Sequence, residues 1–107
     1  IGAALERHEL FPERTNVEFA QVLGDEIKAR VWERGSGETM ACGSGACAVA
    51  VAANEAGLVP RTTVVRFPGG PLEVERLESG EVLLTGEARR VFEGVVDLDH
   101  VQSRVRT

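Results

Sequence analysis

The chain has 107 residues, which suits one domain over 1–107 at the usual size of roughly 100 to 200 residues. Its 17 acidic residues against 12 basic ones give a formal charge of −5, the wrong sign for a surface that attracts phosphate backbones, so nucleic acid is not an expected partner. Hydrophobic residues at 43% and charged residues at 27% exclude wholesale disorder, and the longest apolar run, Ala46 to Ala53, is far below the roughly 20 residues that span a bilayer, so no membrane partner is expected.

In chain order, Leu5 and Leu10 among Glu6, Arg7 and Glu9 give a short amphipathic pattern over Ile1 to Leu10, which predicts a helix closed by Phe11-Pro12. From Val17 the pattern alternates. Val17, Phe19 and Val22-Leu23 form one run and Ile27, Ala29 and Val31 a second, with Gly24-Asp25 between them, which predicts a β-hairpin. Glu33 to Gly45 is rich in glycine and small polar residues. It leads into Ala46 to Ala53, whose five alanines and continuation to Gly57 favour a helix apolar on nearly every side, hence buried. Gly57 fits the position just past its end, and Pro60 prevents continuation. Four further strands are predicted at Thr62 to Phe67, Leu72 to Leu77, Glu81 to Thr85 and Ala88 to Leu98, separated by Pro68-Gly69-Gly70-Pro71, Ser79-Gly80 and Gly86. A polar tail follows from Asp99. The expected class is α+β, with a strongly curved, mainly antiparallel sheet wrapped around a central apolar helix; small side chains let a sheet approach a helix closely. A two-layer α+β sandwich is the plain alternative.

Two cysteines, Cys42 and Cys47, are too few for a disulfide scaffold, and nothing at the start resembles a cleavable leader, so a cytoplasmic setting is expected. The first residue is Ile1 and the one methionine is Met40, so the chain reads as a fragment of a longer polypeptide. Lys28 is its one lysine, the only residue that could form a Schiff base with pyridoxal phosphate.

The chemistry concentrates in Glu33-Arg34-Gly35-Ser36-Gly37-Glu38-Thr39-Met40-Ala41-Cys42-Gly43-Ser44-Gly45-Ala46-Cys47. This stretch sets a cysteine and several free amides at a helix N-terminus, where four N–H groups lack partners and the macrodipole is positive. Anions are favoured there. The same field favours thiolate at Cys42, making it a candidate proton acceptor, whereas Cys47, a turn or more inside the helix, behaves as a small apolar residue. The plain alternatives are a buried free cysteine for Cys42 and a solvated charged pair for Glu33 and Arg34. Gly43-x-Gly45-x-x-Ala48 matches a dinucleotide fingerprint only formally, because no strand runs directly into the first glycine and Arg66 stands where an acidic residue is needed. Zinc fits poorly as well. Cys42, Cys47, His8 and His100 lack the paired spacing of metal sites, so no metal and no cofactor are expected.

Glu33-Arg34-Gly35-x-Gly37-Glu38-Thr39-x-Ala41-Cys42-Gly43-Ser44-Gly45-Ala46-Cys47-Ala48 resembles the second catalytic-cysteine motif of the diaminopimelate epimerase family. Phe11-Pro12-x-Arg14-x-Asn16-Val17 and Arg66-Phe67-Pro68-Gly69-Gly70 with Gly86-Glu87-Ala88 are further echoes of it. Proline racemase-type isomerases also set a cysteine before Gly-x-Gly but lack the Glu-Arg-Gly-x-Gly-Glu-Thr lead-in. The resemblance implies two similar halves, each with a helix inside a curved sheet, and a site between them with one cysteine from each. This chain is similar to the C-terminal half alone. The first-half cysteine followed by Gly-Asn-Gly is absent, as is the Gly-Asn-Pro-His segment that precedes the matched region.

By that resemblance the function is cofactor-independent interconversion of LL- and meso-diaminopimelate, in lysine and cell-wall precursor synthesis. One cysteine removes the α-proton and an opposed one delivers another. Cys42 would be one of the pair, Gly43 and Ser44 would offer amides to the reacting carboxylate, Arg34 would hold or orient the ligand, and Asn16 would bind the remote amino-acid end. Glu33 would adjust thiol protonation or accept from the amino group. The implied partners are the amino-acid substrate and the missing N-terminal half, with a homodimer left open, and the isolated chain is expected to be inactive. The competing reading is a non-catalytic module that holds a carboxylate or phosphate at its helix start.

Overall fold

The computed structural model describes residues 1–99. Its elements in chain order are helix α1 (Gly2–Glu6), strands β1 (Val17–Leu23), β2 (Glu26–Glu33) and β3 (Gly37–Thr39), helix α2 (Gly43–Glu55), and strands β4 (Thr62–Phe67), β5 (Gly70–Arg76) and β6 (Val82–Thr85). The strands form one mixed sheet in the order β1-β2-β4-β5-β6, with β3 also on β2. Among the described residues only β2 and β4 run parallel; every other pair is antiparallel. The α+β class and the predominance of antiparallel pairing are as expected from sequence.

The first hairpin forms where the alternation and Gly24-Asp25 put it. Leu23 faces Glu26 across a two-residue turn, and Gly24 takes φ 62°, a left-handed conformation that costs glycine little. Its register determines which β1 residues point inward. Ile27, Ala29 and Val31 of β2 are buried, and their partners are Val22, Ala20 and Glu18. Cross-strand partners share a face, so Glu18, Ala20 and Val22 lie on the α2 side, while Val17 and Phe19 lie on the other.

The remaining edge of β2 is divided. Glu26 to Lys28 pair with Val64 to Arg66 of β4, and Val31 to Glu33 pair with Thr39 to Gly37 of β3. The chain leaves β3 at this division and enters α2 through Met40-Ala41-Cys42. Across the sheet face, Ala46, Val49 and Ala50 of α2 meet Ile27, Ala29, Val31, Val65, Phe67 and Val74 in the core. The spacing of those helix positions marks a single face. The helix is therefore not buried all round: Ala48, Ala52 and Ala56 are exposed. Alanine accepts either environment at little cost, so an alanine-rich run does not by itself say how many faces are covered.

The helix end follows the sequence signal closely. The Gly57 amide (φ 74°) bonds to the Asn54 carbonyl at 2.9 Å and the Leu58 amide to the Ala53 carbonyl at 2.9 Å, the paired bonds of a Schellman motif. Asn54 then ties the helix to neighbouring chain, donating to the Val59 carbonyl at 3.0 Å and accepting from Arg76 at 3.1 Å.

Two other expectations fail. The first helix is five residues long, with Gly2 and Glu6 buried while Leu5 and Leu10 are exposed, so its inward face is the reverse of the amphipathic reading. The final predicted strand, Ala88 to Leu98, is absent; residues 86–97 are neither helix nor strand, and Val91, Phe92, Val95 and Val96 are exposed. Its apolar residues come as doublets around Gly94 rather than alternating, which provides no consistent face for a sheet.

Ile27 is fully buried at the centre of this arrangement. We predict that Ile27→Ala lowers the unfolding free energy in a urea titration by about 2–5 kcal/mol, whereas Ala48→Ser on the exposed helix face shifts it by less than about 0.5 kcal/mol.

Candidate functional site

Cys42 is the N-cap of α2. Its backbone is extended (φ −151°, ψ 115°), its carbonyl accepts from the Ala46 amide at 2.9 Å, and its Sγ accepts from the Gly45 amide at 3.4 Å. Sulfur thus occupies the place that a serine or threonine oxygen takes in an ordinary cap. The Ser44 hydroxyl lies 3.4 Å from the same sulfur. Of the first four helix amides, two are satisfied by Cys42, and those of Gly43 and Ser44 have no protein partner among the described residues. Cys42 is half-buried and Ser44 exposed, so thiol and amides are reachable from solvent. Cys47 is half-buried too, and both cysteines pack against the core; Cys42 differs in standing at the cap rather than inside the helix.

The loop before the cysteine is backed by the β4–β5 turn. The Gly69 amide donates to the Met40 carbonyl at 2.8 Å, and a Cβ at Gly69 would stand 2.9 Å from that same oxygen, so the backbones are as close as glycine permits. On this side of the loop lies a cleft of about 500 Å³ whose lining includes Ala41, Gly69, Gly70, Leu72, Glu87 and Arg89. None of the site residues named from sequence borders it.

Asn16, Glu33 and Arg34 come together at one end of the β1–β2 pair. The Asn16 Oδ1 accepts from the Arg34 amide at 2.7 Å, and the Arg34 guanidinium donates to the Glu13 carbonyl at 3.4 Å. The Ser36 amide bonds to the Glu33 carbonyl at 3.1 Å, and Gly35 takes φ 80°, turning the chain into β3. Asn16 is exposed, but its carbonyl oxygen is occupied, which leaves its Nδ2 as the free donor.

Two acidic residues here were not foreseen as site components. Glu18 links the two groups, because a Cβ at Gly45 would lie 2.9 Å from its Oε1, and the charge of Glu33 reaches it. Burial pushes the Glu18 carboxyl above the usual carboxylate range, with Glu33 repulsion adding to the effect and a bond from its own backbone opposing it. Apolar residues on both faces of β1 gave no sign that Glu18 lies on the α2 side. Glu6 is the other. Its Oε1 accepts from the Trp32 indole at 2.8 Å, its Oε2 from the Gly35 amide at 3.0 Å, and Arg14 stands 3.7 Å away. The Trp32 bond, followed by the Gly35 bond, lowers the Glu6 pKa, and Arg14 and Arg7 act in the same direction.

His8 is exposed, with Nδ1 accepting from the Leu10 amide at 3.1 Å, and His100 lies outside the described residues. Among the described residues, no three His, Cys, Asp or Glu side chains are grouped to hold a metal, and no helix is long and apolar enough to cross a membrane.

Because the folded-state pKa of Glu6 lies below its ordinary value of 4.5, ionised Glu6 contributes stability that is complete above about pH 4.5 and is lost as pH falls through the lowered value. We predict that acidification from pH 6 to pH 3 erodes the urea midpoint of the native chain more steeply than that of Glu6→Gln, as followed by the emission of Trp32. Parallel pH profiles would contradict this assignment.

Comparison with known proteins bears directly on this geometry. The sequence profile of the family described as "Diaminopimelate epimerase" matches residues 1–91. A diaminopimelate epimerase of Synechococcus elongatus is 50% identical over 99 residues, covering 92% of this chain and 35% of that protein. One from Bacteroides thetaiotaomicron is 54% identical over 99 residues (91% and 37%), and a chloroplastic one from Oryza sativa subsp. japonica is 54% identical over 96 residues (88% and 27%). The chain spans about a third of the length of these relatives. With a profile match over most of its length and about half its residues shared with such relatives, the chain belongs to the diaminopimelate epimerase family.

Proposed function

We propose that this chain is the C-terminal catalytic portion of a diaminopimelate epimerase that works without pyridoxal phosphate, and that it supplies one of two opposed cysteines. The observation that carries this reading is Cys42 at the cap of α2, half-buried, beside two helix amides without protein partners. Both parts of a proton abstraction next to a carboxylate are thereby within one turn of chain.

In this reading the substrate carboxylate accepts from the Gly43 and Ser44 amides, where the helix dipole offsets the negative charge that builds as the α-carbon loses its proton. The thiolate of Cys42 takes that proton when one stereoisomer is bound, and an opposed thiol on the other polypeptide half delivers a proton to the opposite face. In the reverse direction the roles exchange, so that each turnover leaves the two sulfurs with their protonation states swapped. The Gly45 amide donates to Sγ at 3.4 Å and the Ser44 hydroxyl lies 3.4 Å from it, so the sulfur is held at the helix start.

Arg34 is suited to a second anionic group of the ligand, since its guanidinium has one bond to the Glu13 carbonyl and is otherwise exposed. Asn16 contributes Nδ2 to the remote end of the amino acid, while its Oδ1 keeps the Arg34 backbone in place. Glu33 stands at the end of β2 as an acceptor for an amino group or as a charge that tunes thiol protonation. The exposed Ala48, Ala52 and Ala56 face of α2 is where further polypeptide of the longer protein completes a sheet around the helix.

The isolated 107-residue chain carries one of the two proton carriers, so we predict no detectable conversion of LL- to meso-diaminopimelate when it is incubated alone. Turnover by the purified chain would overturn the divided site. In a full-length epimerase bearing this segment, we predict that Cys42→Ser lowers kcat by at least about 100-fold, as loss of a general acid or base does. Cys47→Ser should lower the melting temperature and leave kcat within about twofold, since it removes only packing. Equal losses of kcat in two well-folded variants would refute the assignment.

A further inference from the structure

Glu6 belongs to a five-residue helix and has no part in the chemistry assigned above, yet it is 5% exposed and each of its carboxylate oxygens accepts from an N–H at the end of β2. We propose that Glu6 is a positioning residue for substrate recognition, its carboxylate bracketing the Glu33–Arg34 dipeptide by holding Trp32 on one side and Gly35 on the other. This inference rests on the epimerase reading of Glu33 and Arg34 and adds a residue that acts through them.

The turn that follows Glu33 is exposed from Arg34 to Ser36. Glu33 is the last residue of β2, and Arg34 lies beyond the regular ladder with its side chain in solvent. A charged pair at a strand end would ordinarily sample many orientations. Here the segment is held at three points, by one side chain and two backbone amides. The Trp32 indole donates to Glu6 Oε1, the Arg34 amide to Asn16 Oδ1, and the Gly35 amide to Glu6 Oε2. All the acceptors come from the segment 6–16, and two of the three are the oxygens of one carboxylate.

The chemistry requires an ionised carboxylate at position 6. The two donors each need an acceptor oxygen, and glutamine offers only one, its NH₂ facing the second donor. Burying the charge is costly unless it is paired, and here two N–H groups and the Arg14 guanidinium compensate it. The carrier helix is itself seated on the indole, since a Cβ at Gly2 would lie 2.8 Å from Trp32 Cγ. Helix α1, Trp32 and Gly35 therefore move as one piece with Glu33 and Arg34.

The test uses a full-length epimerase bearing this segment, with Glu6→Gln, Arg34→Lys and the double variant assayed for diaminopimelate turnover. Displacing a binding group through its support is expected to raise KM about tenfold, with kcat changed less. If Glu6 acts through Arg34, then Glu6→Gln in the Arg34→Lys background adds no more than about twofold, the signature of coupled sites. Trp32→Phe, which removes one donor and keeps the ring, is a second variant expected to raise KM about threefold should Glu6→Gln fail to fold.

An unchanged KM in Glu6→Gln, or in Trp32→Phe where that variant stands in, overturns the proposal, as does the same factor in both Arg34 backgrounds, which would mark Glu6 as a general stabiliser. If the unsubstituted protein shows no epimerisation, the functional reading itself falls, an outcome distinct from normal turnover with an indifferent Glu6.

Discussion

Strand β2 has two edges and three partners, and that constraint organises the molecule. β1 occupies one edge along its whole length, while β4 and β3 divide the other. Pairing on both edges places β2 inside the sheet, where Ile27, Ala29 and Val31 are buried and form the floor on which α2 lies. The division also determines where the chain must leave the sheet. Because β4 occupies the first part of the edge, β3 is short, and the chain turns out of the sheet three residues before it enters the helix. The thiol is at that exit, and Glu33 and Arg34 are at the end of the same strand. Both groups of candidate site residues are thus placed by β2 and its partners, one just past its end and the other after β3, and regular elements give such groups fixed positions.

The parts of this arrangement legible in the sequence are those that chain-local stereochemistry decides. Gly24-Asp25 specifies a tight hairpin, Gly57 followed by Pro60 specifies a helix end, and a cysteine before Gly-Ser-Gly and an alanine run specifies a capped helix start. Each requires only a few neighbouring residues. The inward face of β1 was not legible, because apolar residues occur on both faces: Val17 and Phe19 on one, Ala20 and Val22 on the other. The pairing partner decides between them, and partners are not visible in a periodicity.

The same limitation explains Glu6 and Ala88 to Leu98. An amphipathic count assigns Leu5 and Leu10 to the interior because it has no means of anticipating an indole and a glycine amide that together accept a buried carboxylate. At the other end, Val91-Phe92 and Val95-Val96 are apolar enough for a strand, but a strand requires a neighbour, and none is offered to them among the described residues. The residues proposed for chemistry were found because their types are unusual where they stand. Those that support them escaped notice, since a supporting role is a property of contacts rather than of composition.

The close contact at Gly69 has its own consequence. A methyl group there would press on the Met40 carbonyl oxygen, an atom of the main chain that cannot swing aside as a side chain would. The turn between β4 and β5 and the loop ahead of the cysteine are thus fitted to each other backbone against backbone. A lineage that gained a side chain at position 69 would have to reshape both stretches in a single step, so sequence drift in that turn is tethered to the fate of a sulfur atom far away along the polypeptide.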